Sequence, residues 1–191
     1  MKRTLILLIF YSSAIYGQTY WQQAVDYKME VDMEVETFQY SGKQELLYTN
    51  NSPDSLKKVF YHLYYNAFQP GSEMAVRIKN GKDKNTRFKV DIDSLTLLEI
   101  GYLKVSNLQQ EGVALKYDLS ETILEVELSQ PLGPGETTLL TMNFKGQVPK
   151  LIRRAGRNSK EGVALSMAQW YPKMAEYDFE GWNAEPYLGR E

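Results

Sequence analysis

The 191-residue chain has no cysteine. That absence excludes disulfides, a cysteine nucleophile and a lipid-modified cysteine anchor. Histidine is almost as scarce, with His62 standing alone. A catalytic zinc site takes three protein ligands, usually histidine with a carboxylate or cysteine. One histidine and no cysteine cannot supply the usual sets. A serine triad would need His62 as its base, and the sequence holds no G-x-S-x-G elbow. It has no phosphate-cradling glycine loop either. Nor is basic charge in excess: 22 Lys and Arg face 24 Asp and Glu, which argues against a nucleic-acid partner. The longest apolar stretch falls short of the roughly 20 residues of a membrane-spanning helix.

That stretch reads as a leader. Lys2 and Arg3 precede an apolar run from Leu5 through Phe10, continuing less purely to Ile15, with the small residue Gly17 before Gln18. The pattern predicts a secretory signal peptide over residues 1–17, cleaved after Gly17; a retained N-terminal anchor is the alternative. Export, to the periplasm or the extracellular space, is therefore expected, with no membrane span after cleavage. Cleavage removes two basic residues and no acid, leaving a net charge of -4. Stability must then come from packing, for which 14 tyrosines and three tryptophans supply much of the apolar area.

The clearest pattern runs from Val25 to Glu36. Val25, Tyr27, Met29, Val31, Met33 and Val35 alternate with Asp26, Lys28, Glu30, Asp32, Glu34 and Glu36. Period two over this length predicts a long strand with one face on a core. Ser41-Gly42 reads as the following turn and Gln44–Thr49 as the return strand, which the breaker cluster Asn50–Asp54 ends. The aromatic run Lys58–Tyr65 predicts a third, more buried strand. Residues 69–93 read as a long excursion, after which Thr96 and Glu99 can close a short capped turn. Further strands are expected at Gly101–Leu108, Val113–Tyr117, Thr122–Leu128, Thr137–Phe144 and Val163–Trp170. Several short strands at such spacing indicate an all-β fold, an antiparallel sandwich or curved multi-stranded sheet. The organisation expected is a signal peptide (1–17), a β-sandwich domain (18–172) and an irregular C-terminal tail (173–191).

Candidate chemistry is thin. His62 lies between Tyr61 and Leu63 and reads as a packed, hydrogen-bonded residue. Glu176, Asp178, Glu180 and Glu185 cluster near the C-terminus, and a pair of them would be needed to flank a glycosidic bond. Tyr20, Trp21 and Trp170 are the candidates for a sugar-stacking platform, against the commoner role of core aromatics. The basic clusters around Arg77–Lys89 and Lys150–Lys160 read as solvated loops. The tail carries Met174, Tyr177, Phe179, Trp182 and Tyr187 without a clean period, so it is expected to be under-packed, with Trp182 and Tyr187 largely exposed.

Two segments add a resemblance. Tyr27–Ser72 contains the opening strand, a Gly-marked turn and an L-x-x-V-x-x-x-L-x-x-N stretch made by Leu56, Val59, Leu63 and Asn66. Gly162–Glu191 contains the W-Y-P-x-x-x-x-Y-D run from Trp170-Tyr171-Pro172 to Tyr177-Asp178. Together they resemble the N-terminal β domain of aminopeptidase N-type (gluzincin) zinc metallopeptidases of exported bacterial type. The resemblance implies a non-catalytic domain that scaffolds a thermolysin-like catalytic domain and lines part of its peptide cleft. Neither H-E-x-x-H nor G-x-M-E-N occurs in this chain. Zinc, and hydrolysis of N-terminal peptide bonds, are thus expected of the parent enzyme's catalytic domain, and no catalytic or metal residue is assigned here. The family's domain supplies a glutamine or glutamate that helps hold the substrate's α-ammonium group, and the matching position is Gln169. The alternative is a free-standing secreted β-sandwich binding protein or carbohydrate.

Overall fold

Alternating side chains build two antiparallel sheets in the computed structural model, which describes residues 20–81, 91–150, 155–159 and 162–188. The expected leader lies outside the described residues. In chain order the elements are β1 (Ala24–Glu34), β2 (Gln39–Thr49), β3 (Leu56–His62), α1 (Glu73–Lys79), β4 (Tyr102–Gln110), β5 (Val113–Ala114), β6 (Lys116–Ser120), β7 (Ile123–Leu132) and β8 (Thr137–Gln147), followed by the two-residue strands β9 (Gly156–Arg157), β10 (Leu165–Ser166), β11 (Lys173–Met174), β12 (Tyr177–Asp178) and β13 (Gly181–Trp182). One sheet has the order β1-β2-β8-β4-β5 and the other β11-β3-β7-β6. Leu115 alone separates β5 from β6, so the chain changes sheets within one residue.

The core lies between the sheets, as expected for an all-β sandwich. Leu46, Tyr48, Leu103, Leu140 and Phe144 meet Val59, Tyr61, Leu124 and Val126, all fully or almost fully buried. Each such aliphatic or aromatic side chain contributes about 1.5–3 kcal/mol by leaving water. The L-x-x-V-x-x-x-L-x-x-N stretch belongs to this core. Leu56, Val59 and Leu63 are buried, while Asn66 Oδ1 accepts from Leu103 N at 2.8 Å and so ties the turn after β3 to the start of β4. The breaker cluster is equally specific. Buried Asn50 donates through Nδ2 to the carbonyls of Asp54, Leu132 and Gly133, and Ser52 N and Oγ donate to its Oδ1. This satisfies backbone carbonyls at the crossing between sheets that burial would otherwise leave unpaired.

Several expectations change. The first turn is at residues 35–38, not at Ser41-Gly42. Gly42 lies inside β2, opposite Val31 on one side and Phe144 on the other, and the Phe144 ring occupies the space a side chain would take. Gly146 on β8 is covered by the Tyr40 ring in the same way. These glycines permit close packing within a strand. The apolar face of β1 is only partly covered: Tyr27, Met29 and Met33 pack on the core, whereas Val25 and Val31 remain exposed at the sheet edge. Residues 69–93 contain α1, which sequence periodicity did not signal over so short a span. Ser72 caps it by accepting from Ala75 N, and Met74 and Ala75 bury its inner side. The strand expected over Val163–Trp170 shrinks to β10, which pairs only with the two-residue β9, and Gln169 beyond it adopts a left-handed backbone (φ 56°) that no extended strand contains.

Candidate functional site

The segment from Gly162 to Leu188 holds the site residue suggested by sequence, and its path explains the local geometry. After Gln169 the chain crosses the open side of the sandwich. Trp170 packs edge-on against Tyr40 at 5.8 Å and lies 6.2 Å from Phe144, while Tyr171 meets Tyr27 at 5.5 Å. Three polar contacts hold the crossing backbone. The Tyr40 hydroxyl donates to Trp170 O, Gln44 Nε2 donates to Pro172 O at 2.9 Å, and Met174 N donates to the Tyr27 hydroxyl at 2.8 Å. β11 then pairs with Tyr61 and His62 of β3, extending the second sheet. Burial pushes the Tyr27 and Tyr40 hydroxyls well above the usual phenol range, so both act here as neutral hydrogen-bonding groups.

Gln169 itself is half-buried. Its left-handed backbone is uncommon for a residue other than Gly, Asn or Asp and costs about 1–2 kcal/mol. The seating of Trp170, Tyr171 and Pro172 immediately after it holds that conformation in place.

His62 does not suit a metal. Its Nε2 lies 3.0 Å from Asn183 O, its ring stacks on Tyr64 at 4.9 Å, and Nδ1 is buried without a partner. Burial lowers its pKa, against the opposing effect of the Asn183 carbonyl, so the ring is neutral and structural. No group of three or more His, Asp or Glu side chains able to hold a metal ion occurs among the described residues.

The under-packed tail expected from sequence is overturned. Trp182 is half-buried, stacked on Tyr48 at 6.3 Å and flanked by Phe60 at 5.5 Å and Tyr177 at 5.1 Å. Tyr187 packs against Tyr64 and Phe68, and its N–H donates to Thr122 Oγ1 at 2.8 Å. The tail lacks a period because β12 and β13 form a short hairpin whose Trp182 ring reaches Tyr48 of β2 and Phe60 of β3.

The candidate aromatic platform is divided. Trp170 belongs to the core crossing, but Tyr20 and Trp21 come together with the hairpin. They line a groove of about 430 Å³ with Gln22, Glu176, Tyr177, Asp178 and Phe179. Of the four clustered acids, only Glu176 and Asp178 face this groove. The Asp178 carboxylate is already engaged, accepting from Asn183 Nδ2 at 2.9 Å and Glu180 N at 2.8 Å, and these bonds hold it below the usual carboxylate range. A carboxylate so held is an acceptor and a counter-charge, not a general acid. Sequence reasoning missed Phe179 as a groove residue; a lone aromatic beside Asp178 and Glu180 carries no signal that distinguishes it from its buried neighbours.

No family model matches the sequence, and no curated protein matches it. Solved structures with a similar fold include an M1 zinc metallopeptidase from Deinococcus radiodurans, in a mutant form bound to a Tyr-Ser-Ala substrate. It is 17% identical, with a TM-score of 0.47, over 78% of this chain and 27% of that one. The same metallopeptidase without the mutation is 17% identical, with a TM-score of 0.46, over 78% and 26%. A two-domain M1 zinc metallopeptidase mutant bound to L-tryptophan is 18% identical, with a TM-score of 0.46, over 81% and 28%. The chain spans about a quarter of the length of these structures.

No helix among the described residues is long and apolar enough to cross a membrane. Of the described members of the basic clusters, Lys79 pairs with Asp93, Lys150 with Glu99, and Arg157 lies over the Phe38 ring with its guanidinium donating to Leu98 O. Arg77 lies on α1 with its Nε buried and without a hydrogen-bond partner among the described residues. The remaining members lie outside the described residues.

Proposed function

We propose that this chain is the N-terminal, non-catalytic β domain of an exported zinc aminopeptidase. It scaffolds the enzyme and lines part of the peptide cleft through Gln169. One observation carries the reading. The two stretches that bear the sequence resemblance, Tyr27–Ser72 and Gly162–Glu191, are the stretches that lock together. Tyr27, Tyr40 and Gln44 from the first hold Met174, Trp170 and Pro172 from the second, and β11 completes the sheet at β3. Motifs far apart in sequence would pack this way if they define one folded unit. On this reading residues 1–17 are the signal peptide, residues 18–172 the domain, and residues 173–191 the path toward a catalytic domain that holds the zinc.

In the enzyme, the strained backbone at Gln169 would present an amide oxygen to the substrate's α-ammonium group. A hydrogen bond to a charged group contributes about 1.5–3 kcal/mol, or roughly ten- to a hundredfold in binding. The test begins by reading the source gene past codon 191 and expressing the enzyme it encodes. An open frame reaching H-E-x-x-H is expected, with Gln169→Ala raising KM for free-amine substrates while N-blocked peptides are unaffected. A stop codon directly after codon 191, with a stable secreted product, refutes the enzyme-domain reading. Unchanged kinetic constants in Gln169→Ala refute the role given to that residue.

A further inference from the structure

The groove between the N-terminal segment and the β12–β13 hairpin is used by nothing described so far. Its walls are unusual. Tyr20 is 82% exposed and Phe179 is 77% exposed, although every other aromatic of the tail is packed. Exposed rings facing a common concavity are a binding feature more often than a packing defect.

The floor is rigid. Trp21 stacks on Tyr177 at 5.8 Å with an interplanar angle of 28°, and Tyr177 is backed by Trp182. The Tyr177 hydroxyl donates to Asp54 Oδ2 at 2.8 Å, which fixes the ring from its far end. The charge has one sign. Glu176 and Asp178 line the groove, and among the described residues no Lys or Arg does. Asp178 is oriented in advance by Asn183 and Glu180, with lone pairs left for a ligand. By contrast, the concavity of about 390 Å³ beside β1 and β2 sets Lys145 against Asp32 and Glu34, so its charges answer one another.

From this arrangement we infer that the groove is a binding site for a guanidinium group, presented by an arginine side chain of a peptide or protein partner. A planar cation is attracted to the faces of aromatic rings and, unlike ammonium, can stack on them while forking to a carboxylate. The exposed Phe179 and Tyr20 rings provide the faces, and Asp178 with Glu176 provides the counter-charge. A neutral sugar would also stack on the rings, but it would leave two carboxylates uncompensated in a groove whose described lining holds no basic side chain. The site is distinct from Gln169, which does not line the groove, and it does not depend on the enzyme-domain reading.

The test uses the full chain with acetyl-Gly-Arg-Gly-amide as probe, followed by tryptophan fluorescence, to which Trp21 in the groove contributes, and by titration calorimetry. The comparison probes are the same peptide with citrulline, a neutral isostere of arginine, and maltotetraose. The arginine peptide should bind at least tenfold more tightly than the citrulline peptide and weaken as salt is raised. Phe179→Ala and Asp178→Asn should each reduce binding at least tenfold. Asp32→Asn, on the far face of the first sheet, should leave it unchanged, which separates the groove from the general acidity of the chain. Phe179 is exposed, so its replacement should leave the melting curve intact. Equal binding of the arginine and citrulline peptides, tighter binding of maltotetraose, or no loss in Phe179→Ala would each overturn the assignment.

Discussion

Gly146→Ala tests strand register and the seating of the Trp170 segment in one experiment. Gly146 faces Tyr40 across β2 and β8, and a methyl group added there would fall inside the Tyr40 ring. The ring has little room to retreat. It is 3% exposed, packed edge-on against Tyr65, Phe144 and Trp170, and its hydroxyl holds Trp170 O. Displacing it has two costs. Overpacking a filled core costs about 1–3 kcal/mol. Breaking the hydroxyl–carbonyl bond, with the carbonyl left half-buried, costs about 1–3 kcal/mol more. The expected loss of about 2–6 kcal/mol is large against a typical total of about 5–15 kcal/mol. The sign is informative, because Gly→Ala at an unhindered site stabilises by about 0.4–1 kcal/mol through the unfolded chain.

Urea unfolding followed by tryptophan emission reads both consequences, since Trp170 lies directly against Tyr40. The control is a double-mutant cycle. In a Tyr40→Ala background the new methyl group enters space the ring has vacated, so Gly146→Ala should then cost less than about 1 kcal/mol. The coupling between the two sites should exceed about 1 kcal/mol, as expected for groups in contact. Additive costs, or a Gly146→Ala variant within about 0.5 kcal/mol of the parent, would show that the ring does not cover the glycine in solution.

Three further outcomes follow from buried polar groups. Tyr61→Phe removes a fully buried hydroxyl that has no protein partner and should leave stability unchanged or raise it slightly. Tyr27→Phe removes the acceptor for Met174 N and should cost about 1 kcal/mol. Thermal melts with the two effects reversed would refute the assigned hydrogen bonding. His62 is held below its ordinary pKa of 6.5 by burial, so the unfolded chain binds a proton there before the folded one does. Stability should therefore fall as pH drops below about 6.5 and level off beneath the lowered folded value; a His62→Gln variant with the same slope between pH 6.5 and 5 would exclude His62 as the cause.

Much of the fold was legible because it depends on period two. The alternation from Val25 to Met33 survives as β1 paired along its length with β2, and the breaker residues Asn50 and Ser52 end β2 through their own side-chain bonds, two of them to the Asp54 backbone. The misplaced turn has a physical cause. Gly42 and Gly146 are glycines because Phe144 and Tyr40 cover them, and that information sits on a different strand from the glycine itself. Local sequence cannot separate a turn glycine from one shaded by a ring about a hundred residues away. The helix α1 was missed for the converse reason. Seven residues with two buried positions carry too little periodicity to stand out from a charged loop.

The candidate site divides along the same line. Scarcity of histidine and cysteine restricts the chemistry open to the chain before any fold is known, and the neutral, packed His62 agrees with that reading. Placement of the tail aromatics follows from contacts instead. Trp182, Tyr187 and Phe179 are alike in composition and in their irregular spacing, yet the first two find Tyr48, Phe60, Tyr64 and Phe68 on the sandwich, while Phe179 sits at the tip of the β12–β13 hairpin, beyond reach of the sheets. The hairpin therefore buries one side of itself and turns the other toward Tyr20 and Trp21 from the opposite end of the chain. A groove assembled from both ends exists only after the tail has docked. Weakening that docking at Trp170 or Trp182 should therefore abolish binding in the groove as well, even though neither residue lines it.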